Sequence, residues 1–459
     1  MKRNIDMVNG PIFKSVLSFA IPVILTNLLQ ILFNTADLIV VGQYCGSLSV
    51  AAVSATTSLT HLIVNFFIGI STGTGVCVAR AIGGRQYDAV HRFVHTALPT
   101  AIICGGLVSL IGVIFSPTFL GWMGTPEHVL ALSTVYMRIY FAGMVFNMVY
   151  NFSASILRAA GETKLPLYFL SIAGVINVGL NIVFVTVFHM NVAGVALATS
   201  ISQAISAILC VIALTRRTDE CKLILKKIRI YGNQLSSMLR LGLPAGIQSS
   251  LFAVSNVIIV SSINSFGSEA IISGNGAAQS LEGLLSSVTG AFYTTQVNFI
   301  GQNSGAHKFD RVKKIYRTGL ACMACVVLST SLLVFLFRKP LLSLYITDSA
   351  DAIAYGIIRM SYINLFYVLL GCMDNTTGAL RGLGYSLVPM FVTLLGACGL
   401  RIAWVYTIFQ IPKCHTIGCL YQSFPVSWII TFSVQLILFL VIVNKKEKAE
   451  KTLATNSTI

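Results

Sequence analysis

The sequence predicts an all-α integral membrane protein of about twelve transmembrane helices, arranged as two parallel-repeat lobes of six helices each. Three observations predict it. Only 10% of the residues are charged while 55% are hydrophobic, whereas a soluble fold carries roughly 25% charged residues to cover itself. The apolar runs are continuous over about 20 residues or more, the length that spans a bilayer as a helix, not the ~10-residue alternating segments of a barrel. The second half of the chain also repeats the first at a nearly constant offset. With lipid as the solvent, backbone N–H and C=O groups must bond within each helix, and the apolar runs supply such helices.

In order along the chain, spans are expected at about 15–41, 50–79, 93–115, 130–155, 166–188 and 192–214. They resume at about 240–265, 272–302, 317–337, 354–378, 386–410 and 420–443. This divides the chain into an N-terminal lobe (1–214), a basic cytoplasmic linker (215–239), a C-terminal lobe (240–443) and a cytoplasmic tail (444–459). Several runs exceed what a span needs, so tilt or protrusion is expected. The first run is too long for the apolar region of a cleavable signal. Pro22 and Pro244 fall early in the first and seventh spans, where they permit kinks.

The net charge is +16. Of the 31 Lys and Arg residues, 25 fall in one set of segments. These are Lys2, Arg3 and Lys14, the turns around Arg85, Arg158, Lys308 and Arg381, the 215–239 linker with Arg240, and Lys445 to Lys451. The opposite loops hold Arg338, Lys339 and Lys413. This asymmetry places both termini in the cytoplasm and requires an even number of spans. It also accounts for the basic charge without a nucleic-acid partner. Arg138 and Arg359, which open the fourth and tenth spans from the outer side, are expected to snorkel to the interface.

The repeat is explicit. Ser15–Pro22 (SVLSFAIP) matches Ser237–Pro244 (SMLRLGLP) at an offset of 222, and Gly83 and Asp88 match Gly305 and Asp310 at the same offset. Leu157–Pro166 (LRAAGETKLP) matches Leu380–Pro389 (LRGLGYSLVP) at 223. Six helices per half give both halves one orientation, a parallel repeat about an axis along the membrane normal, with two bundles flanking a cleft.

These segments resemble the multidrug and toxic compound extrusion (MATE) family of cation-coupled transporters. The resemblance rests on Ala36-Asp37 with VVGQ at 40–43, on FIGQNSGAHKFDRVKKI from Phe299 to Ile315, and on LRAAGETKLP with its repeat. It covers the chain from about residue 10 to 443. It implies two six-helix lobes, alternating access, and export of amphipathic, often cationic, organic compounds by Na⁺ or H⁺ antiport. The implied partners are small organic substrates, the coupling ion and the lipid bilayer, with no cofactor. The chain is expected to work as a monomer in the cytoplasmic membrane.

Three acids lie inside spans: Asp37, Glu282 and Asp374. An ionisable group there costs at least ~2.5–3.5 kcal/mol at the bilayer centre, so each is expected to have a partner, a cavity or a function. Asp37 is a hard oxygen ligand for Na⁺ or a proton acceptor; the alternative is a structural carboxylate bonded to neighbouring helices. The resemblance implies that the acid at its position is central to cation coupling. It also implies that Asn177, Asn181 and Thr199 join it in a polar cluster, with Tyr136 or Tyr140 adding a hydroxyl. Asn177 and Asn181, four residues apart, share one helix face. The position of Asn181 is frequently an acid in the family. An amide takes no proton, so a two-carboxylate proton mechanism is in doubt and Na⁺ is favoured.

For Glu282, Asp374, Arg401 and Gln279 two readings stand open. One is a structural ion pair between Arg401 and one of the acids. The other is a C-lobe site for protons or a cationic substrate. The best alignment puts Phe252 where some family members carry Glu, and Asp374 lies about one turn from the usual acid. No GxxxxGK[ST] or HExxH motif appears, which excludes a P-loop ATPase and a zincin. The alternatives to an exporter are a flippase for lipid-linked saccharides of the same broad superfamily, and an intramembrane enzyme or structural protein.

Overall fold

A computed structural model describes residues 5–347 and 349–456, and among them every regular element is helical. Lys2 and Arg3 of the basic set lie outside the described residues. The first half contains α1 (Ile12–Tyr44), α2 (Ser47–Gly83), α3 (Tyr87–Trp122), α4 (Glu127–Ala142), α5 (Met144–Ala159), α6 (Lys164–Ile182) and α7 (Asn191–Thr215). The second contains α8 (Gly232–Asn264), α9 (Glu269–Gly305), α10 (Phe309–Leu336), the short α11 (Arg338–Ser343), α12 (Ala350–Ile363), α13 (Tyr367–Gly382), α14 (Leu387–Thr393), α15 (Leu400–Tyr406) and α16 (Ile417–Asn456).

Among the described residues nine helical segments are long and apolar enough to cross a bilayer. Two bent pairs, α4 with α5 at 43° and α12 with α13 at 48°, raise this to eleven. The duplication supplies the twelfth. The 37-residue α9 starts and ends 222 positions after the 37-residue α2, and Asn275, Glu282, Gln296 and Asn298 hold its hydropathy down. Backbone conformation repeats as well. Left-handed residues recur as Arg85 (φ 54°) and His307 (φ 58°), and as Gly161 (φ 83°) and Gly384 (φ 92°).

The expected spans need adjustment at their ends and interiors. Helices α3 and α10 begin at Tyr87 and Phe309, not near 93 and 317, each with an acid in its first turn, Asp88 or Asp310, which complements the helix N-terminus. Helix α8 begins at Gly232, inside the expected linker. The spans expected at 130–155 and 354–378 are broken by their bends. Helix α6 runs into a π-helical turn at Val183–Val187, and α14 into one at Leu394–Gly399.

The rest of the linker is tied down. Ile224 N–H donates to His95 Nε2 at 3.0 Å and Tyr231 N–H to Thr96 Oγ1 at 3.2 Å. Burial alone would raise the Asp219 carboxyl, but hydrogen bonds and charge from Arg217 hold it below the usual range.

The chain forms two compact units: one of Leu25–Gly246, the other of Asp6–Ile24 with the chain from Ile247 onward. The cuts at 24/25 and 246/247 lie 222 residues apart, the offset of the sequence repeat, and each follows the proline of its helix, Pro22 or Pro244. The units therefore divide within α1 and α8, not at the expected lobe boundaries of 214 and 240. The reason is packing of each leading segment. In the first unit, Gly69 and Gly73 of α2 face Gly242 and Gly246 of α8 so closely that a Cβ on Gly69 would sit 2.3 Å from the Gly246 nitrogen. This is two small-xxx-small stripes allowing backbone contact. In the second unit, Phe19 meets Phe299 edge-on at 5.5 Å, and Asn303 Nδ2 donates to the Met7 carbonyl at 2.9 Å. Arg311 donates to the Gly10 carbonyl.

Gly69–Gly73 reads GISTG, the letters of a GxSxG elbow, but it lies within continuous helix and Ser71 Oγ donates to the Ile68 carbonyl at 2.7 Å. It is not the strand-to-helix turn such a nucleophile needs. Gly69→Ala is expected to lower thermal stability by about 1–3 kcal/mol through overpacking. Gly106→Ala, with nothing within 4 Å of its Cβ, is expected to be silent. Melting of the detergent-solubilised variants, followed by size-exclusion fluorescence, compares them; equal melting would show that the stripe tolerates a methyl group.

Candidate functional site

In the first unit, α1, α6 and α7 bring four of the candidate residues together. Asp37 is 6% exposed, well inside its unit. Asn181 Nδ2 donates to Asp37 Oδ1 at 2.5 Å, and Thr199 Oγ1 donates to Asp37 Oδ2 at 3.1 Å. Asn177 lies one turn from Asn181, accepts from its Nδ2 at 3.3 Å and approaches Thr199 Oγ1 at 3.4 Å. All the partners of the carboxylate are neutral, and no Lys, Arg or His lies within salt-bridge distance among the described residues. Asn181 Oδ1 is buried without a hydrogen-bond partner. The π turn begins two residues after Asn181; such turns are frequent at functional sites. Tyr136 stacks on Tyr140 with ring centroids 6.2 Å apart, and both lie within electrostatic reach of Asp37. The cluster thus presents oxygen atoms of carboxylate, amide and hydroxyl type around one uncompensated negative charge, a donor set suited to a hard cation.

The second unit departs from the sequence expectation. Glu282 pairs with Arg359, not with Arg401. Arg359 Nε and Nη2 donate to the two carboxylate oxygens at 2.8 and 2.7 Å. Its Nη1 donates to Asn275 Oδ1 at 2.6 Å, which also accepts from the Tyr421 hydroxyl at 3.2 Å. Arg359 is therefore a buried ion-pair partner and does not snorkel: its helix α12 packs on α9, which carries Glu282. Arg138 does reach the surface, its Nε donating to the Val113 carbonyl at 3.2 Å.

Gln279 is exposed; the amide that joins the Glu282–Arg359 pair is Asn275, which accepts from Arg359 and lies nearly two turns before Glu282. Asp374 is not a member of this pair; it is hydrogen-bonded to Thr289 and lies within electrostatic reach of Arg381. Arg381 in turn donates to Gln248 Oε1 at 2.7 Å and to the Tyr293 hydroxyl.

Arg401 has no carboxylate within salt-bridge distance among the described residues. It is 1% exposed, its Nε donating to Ser427 Oγ at 2.9 Å. Sequence reasoning missed Asn275, Tyr421 and the role of Arg359.

Comparison with known proteins is consistent along the whole chain. A protein-family model described as MatE matches residues 22–183 and again 244–407, one match per half. The chain is 27% identical over 435 residues to a probable multidrug resistance protein, YoeA, of Bacillus subtilis (strain 168), covering 93% of this chain and 92% of that protein. It is 30% identical over 400 residues to a second one, YpnP, of the same organism, covering 86% and 88%. The multidrug export protein MepA of Staphylococcus aureus (strain MRSA252) is 23% identical, covering 91% and 90%. Among solved structures, an outward-facing multidrug resistance MATE transporter of the MOP superfamily superposes with a TM-score of 0.90 at 19% identity, covering 98% of this chain and 99% of that one.

Proposed function

The chain belongs to the MatE family, a family of membrane transporters, and from that premise we propose that it exports amphipathic, often cationic, organic compounds by Na⁺ or H⁺ antiport. The observation that carries the coupling is the Asp37 cluster: a buried carboxylate whose partners are all neutral, beside an amide oxygen, Asn181 Oδ1, that accepts nothing. A cation supplies what both lack. Asp37 provides the charge, while Asn177, Asn181 and Thr199 provide oxygen ligands and Tyr136 a neighbouring hydroxyl. A half-turn of the Asn181 amide exchanges the donor now facing Asp37 for an acceptor, so the same side chain serves the empty and the loaded cluster. Occupancy favours the outward-open arrangement and drives release of the substrate, and alternating access completes the cycle. The ion is a transported species, not a resident cofactor. The protein acts as a monomer in the cytoplasmic membrane with both termini inside.

Ethidium efflux from vesicles under an imposed Na⁺ or H⁺ gradient tests this. Gradient-driven efflux supports it, and the effective gradient names the ion. Absence of efflux with either ion, in folded protein, argues against it. Asn181→Asp offers a sharper version. A second carboxylate hydrogen-bonded to the first shares its proton, so the variant is expected to gain H⁺-driven efflux at least several-fold above the parent. An unchanged response to the H⁺ gradient would count against Asn181 as a cluster member.

A further inference from the structure

The second unit buries a guanidinium that nothing in the coupling reading uses. Arg401 lies on α15, just after the π turn, with Nε on Ser427 Oγ and Nη1 within 3.4 Å of Asn256 Oδ1. The rest of its surround is aromatic: its Cζ is 4.2 Å from the Phe424 ring centroid and 5.4 Å from those of Phe252 and Trp428. A guanidinium does not lose its proton in a protein, so the positive charge is permanent. Its ionised neighbours do not balance it, because Glu282 is already engaged at both oxygens by Arg359.

Two independent donors at this place have no acceptor. Arg401 Nη2 and, on the side chain beside it, Trp428 Nε1 are both buried without a hydrogen-bond partner among the described residues. Neither group can accept a hydrogen bond, and buried donors are almost always paired. An acceptor of negative charge at Nη2 would satisfy that donor and neutralise the guanidinium, and Trp428, whose ring centroid lies 5.4 Å from the Arg401 Cζ, brings a second unpaired donor to the same neighbourhood.

We infer that Arg401 and Trp428 are the donors of an anion site inside the second unit, with Ser427 and Asn256 holding the guanidinium and Phe252 and Phe424 forming its apolar walls. The anion is small and singly charged where it enters: chloride, or the carboxylate of an amphipathic organic molecule. An apolar wall on either side of a fixed charge suits a carboxylate attached to a hydrophobic body. In that form the inference rests on the export reading, and it makes the substrates zwitterions or acids as well as cations; chloride binding is independent of that reading.

Binding to the full chain in detergent, without any gradient, tests the site separately from transport. Melting temperature and tryptophan emission are followed at constant ionic strength in a bulky sulfonate background while chloride, octanoate or uncharged octanol is added. A saturable response to chloride identifies an inorganic anion. A response to octanoate, with chloride and octanol silent, identifies the organic carboxylate. In either case Arg401→Gln is expected to weaken the midpoint by about tenfold or more, as for loss of a hydrogen bond to a charged group. Trp428→Phe is expected to weaken it several-fold, and Arg138→Gln, which removes an exposed positive charge, to leave it unchanged. No saturable response to either anion in monodisperse protein overturns the proposal, as does an unchanged midpoint in Arg401→Gln. If Arg401→Gln does not fold, an unchanged midpoint in Trp428→Phe overturns it.

Discussion

Asp37→Asn is expected to abolish ion-driven ethidium efflux while the protein still folds. The amide has nearly the shape of the carboxylate, and its oxygen can still accept from Asn181 Nδ2 or Thr199 Oγ1, the partners of the native acid. What disappears is the one formal charge in the cluster. Removing one partner of a buried ion pair costs about 3–5 kcal/mol, and the loss of the cation's counter-charge is of the same kind. That corresponds to a factor of roughly 100 or more in cation affinity. Efflux should therefore fall to passive leak at ion concentrations that saturate the parent, with melting temperature nearly unchanged. Retention of gradient-driven efflux by a folded Asp37→Asn protein would remove Asp37 from the coupling mechanism.

The second large effect concerns stability. Glu282→Gln leaves the Arg359 guanidinium buried without a counter-charge, among neutral acceptors and aromatic rings, and is expected to destabilise the second unit by about 3–5 kcal/mol. Arg359→Met strands the carboxylate instead, with a similar loss. Combining Arg359→Met with Glu282→Met removes both charges and leaves apolar side chains of similar volume, and since a buried pair is often no better than such residues, the double variant should recover most of the melting temperature and folded yield. The same double variant should keep ion-driven efflux, because the pair serves the architecture and Asp37 the coupling. A single variant that melts like the parent would show that the pair is not structural. Loss of efflux in a stable double variant would move Glu282 into the transport cycle.

The broad fold was legible in the sequence because two strong constraints act on it. The bilayer forces long apolar helices, and the duplication copies every uncertain element from a clearer one. Helix α9 illustrates this: too polar to be recognised by hydropathy, it is fixed by its equal length and constant offset from α2. The Asp37 cluster was legible through the family resemblance, which implied that Asn177, Asn181 and Thr199 surround the acid; the sequence itself showed only that Asn177 and Asn181 share one helix face and that an acid in a span demands partners. The partners in the second unit were not. Glu282 had two arginines available in sequence, and the packing of α12 against α9, which hydropathy does not encode, brings Arg359 to it. Bends and π turns arise from tertiary packing against neighbours, as at Gly143, where a Cβ would meet Ser200 Oγ at 2.4 Å. Hydropathy carries no trace of them.

The exchange of leading segments has a consequence for biogenesis. A chain is made from its N-terminus, and the first unit is complete once Gly246 has emerged. The second unit needs residues made long before their partners: Met7 waits for Asn303, 296 positions later. At about 5–20 residues per second that is roughly 15–60 s of synthesis. During that time the segment Asp6–Ile24 is present but without its native neighbours. A ribosome stalled after Gly246 would therefore leave the first unit whole. Deletion of Asp6–Ile24 would instead damage the second unit, the rest of which is encoded more than 200 residues downstream.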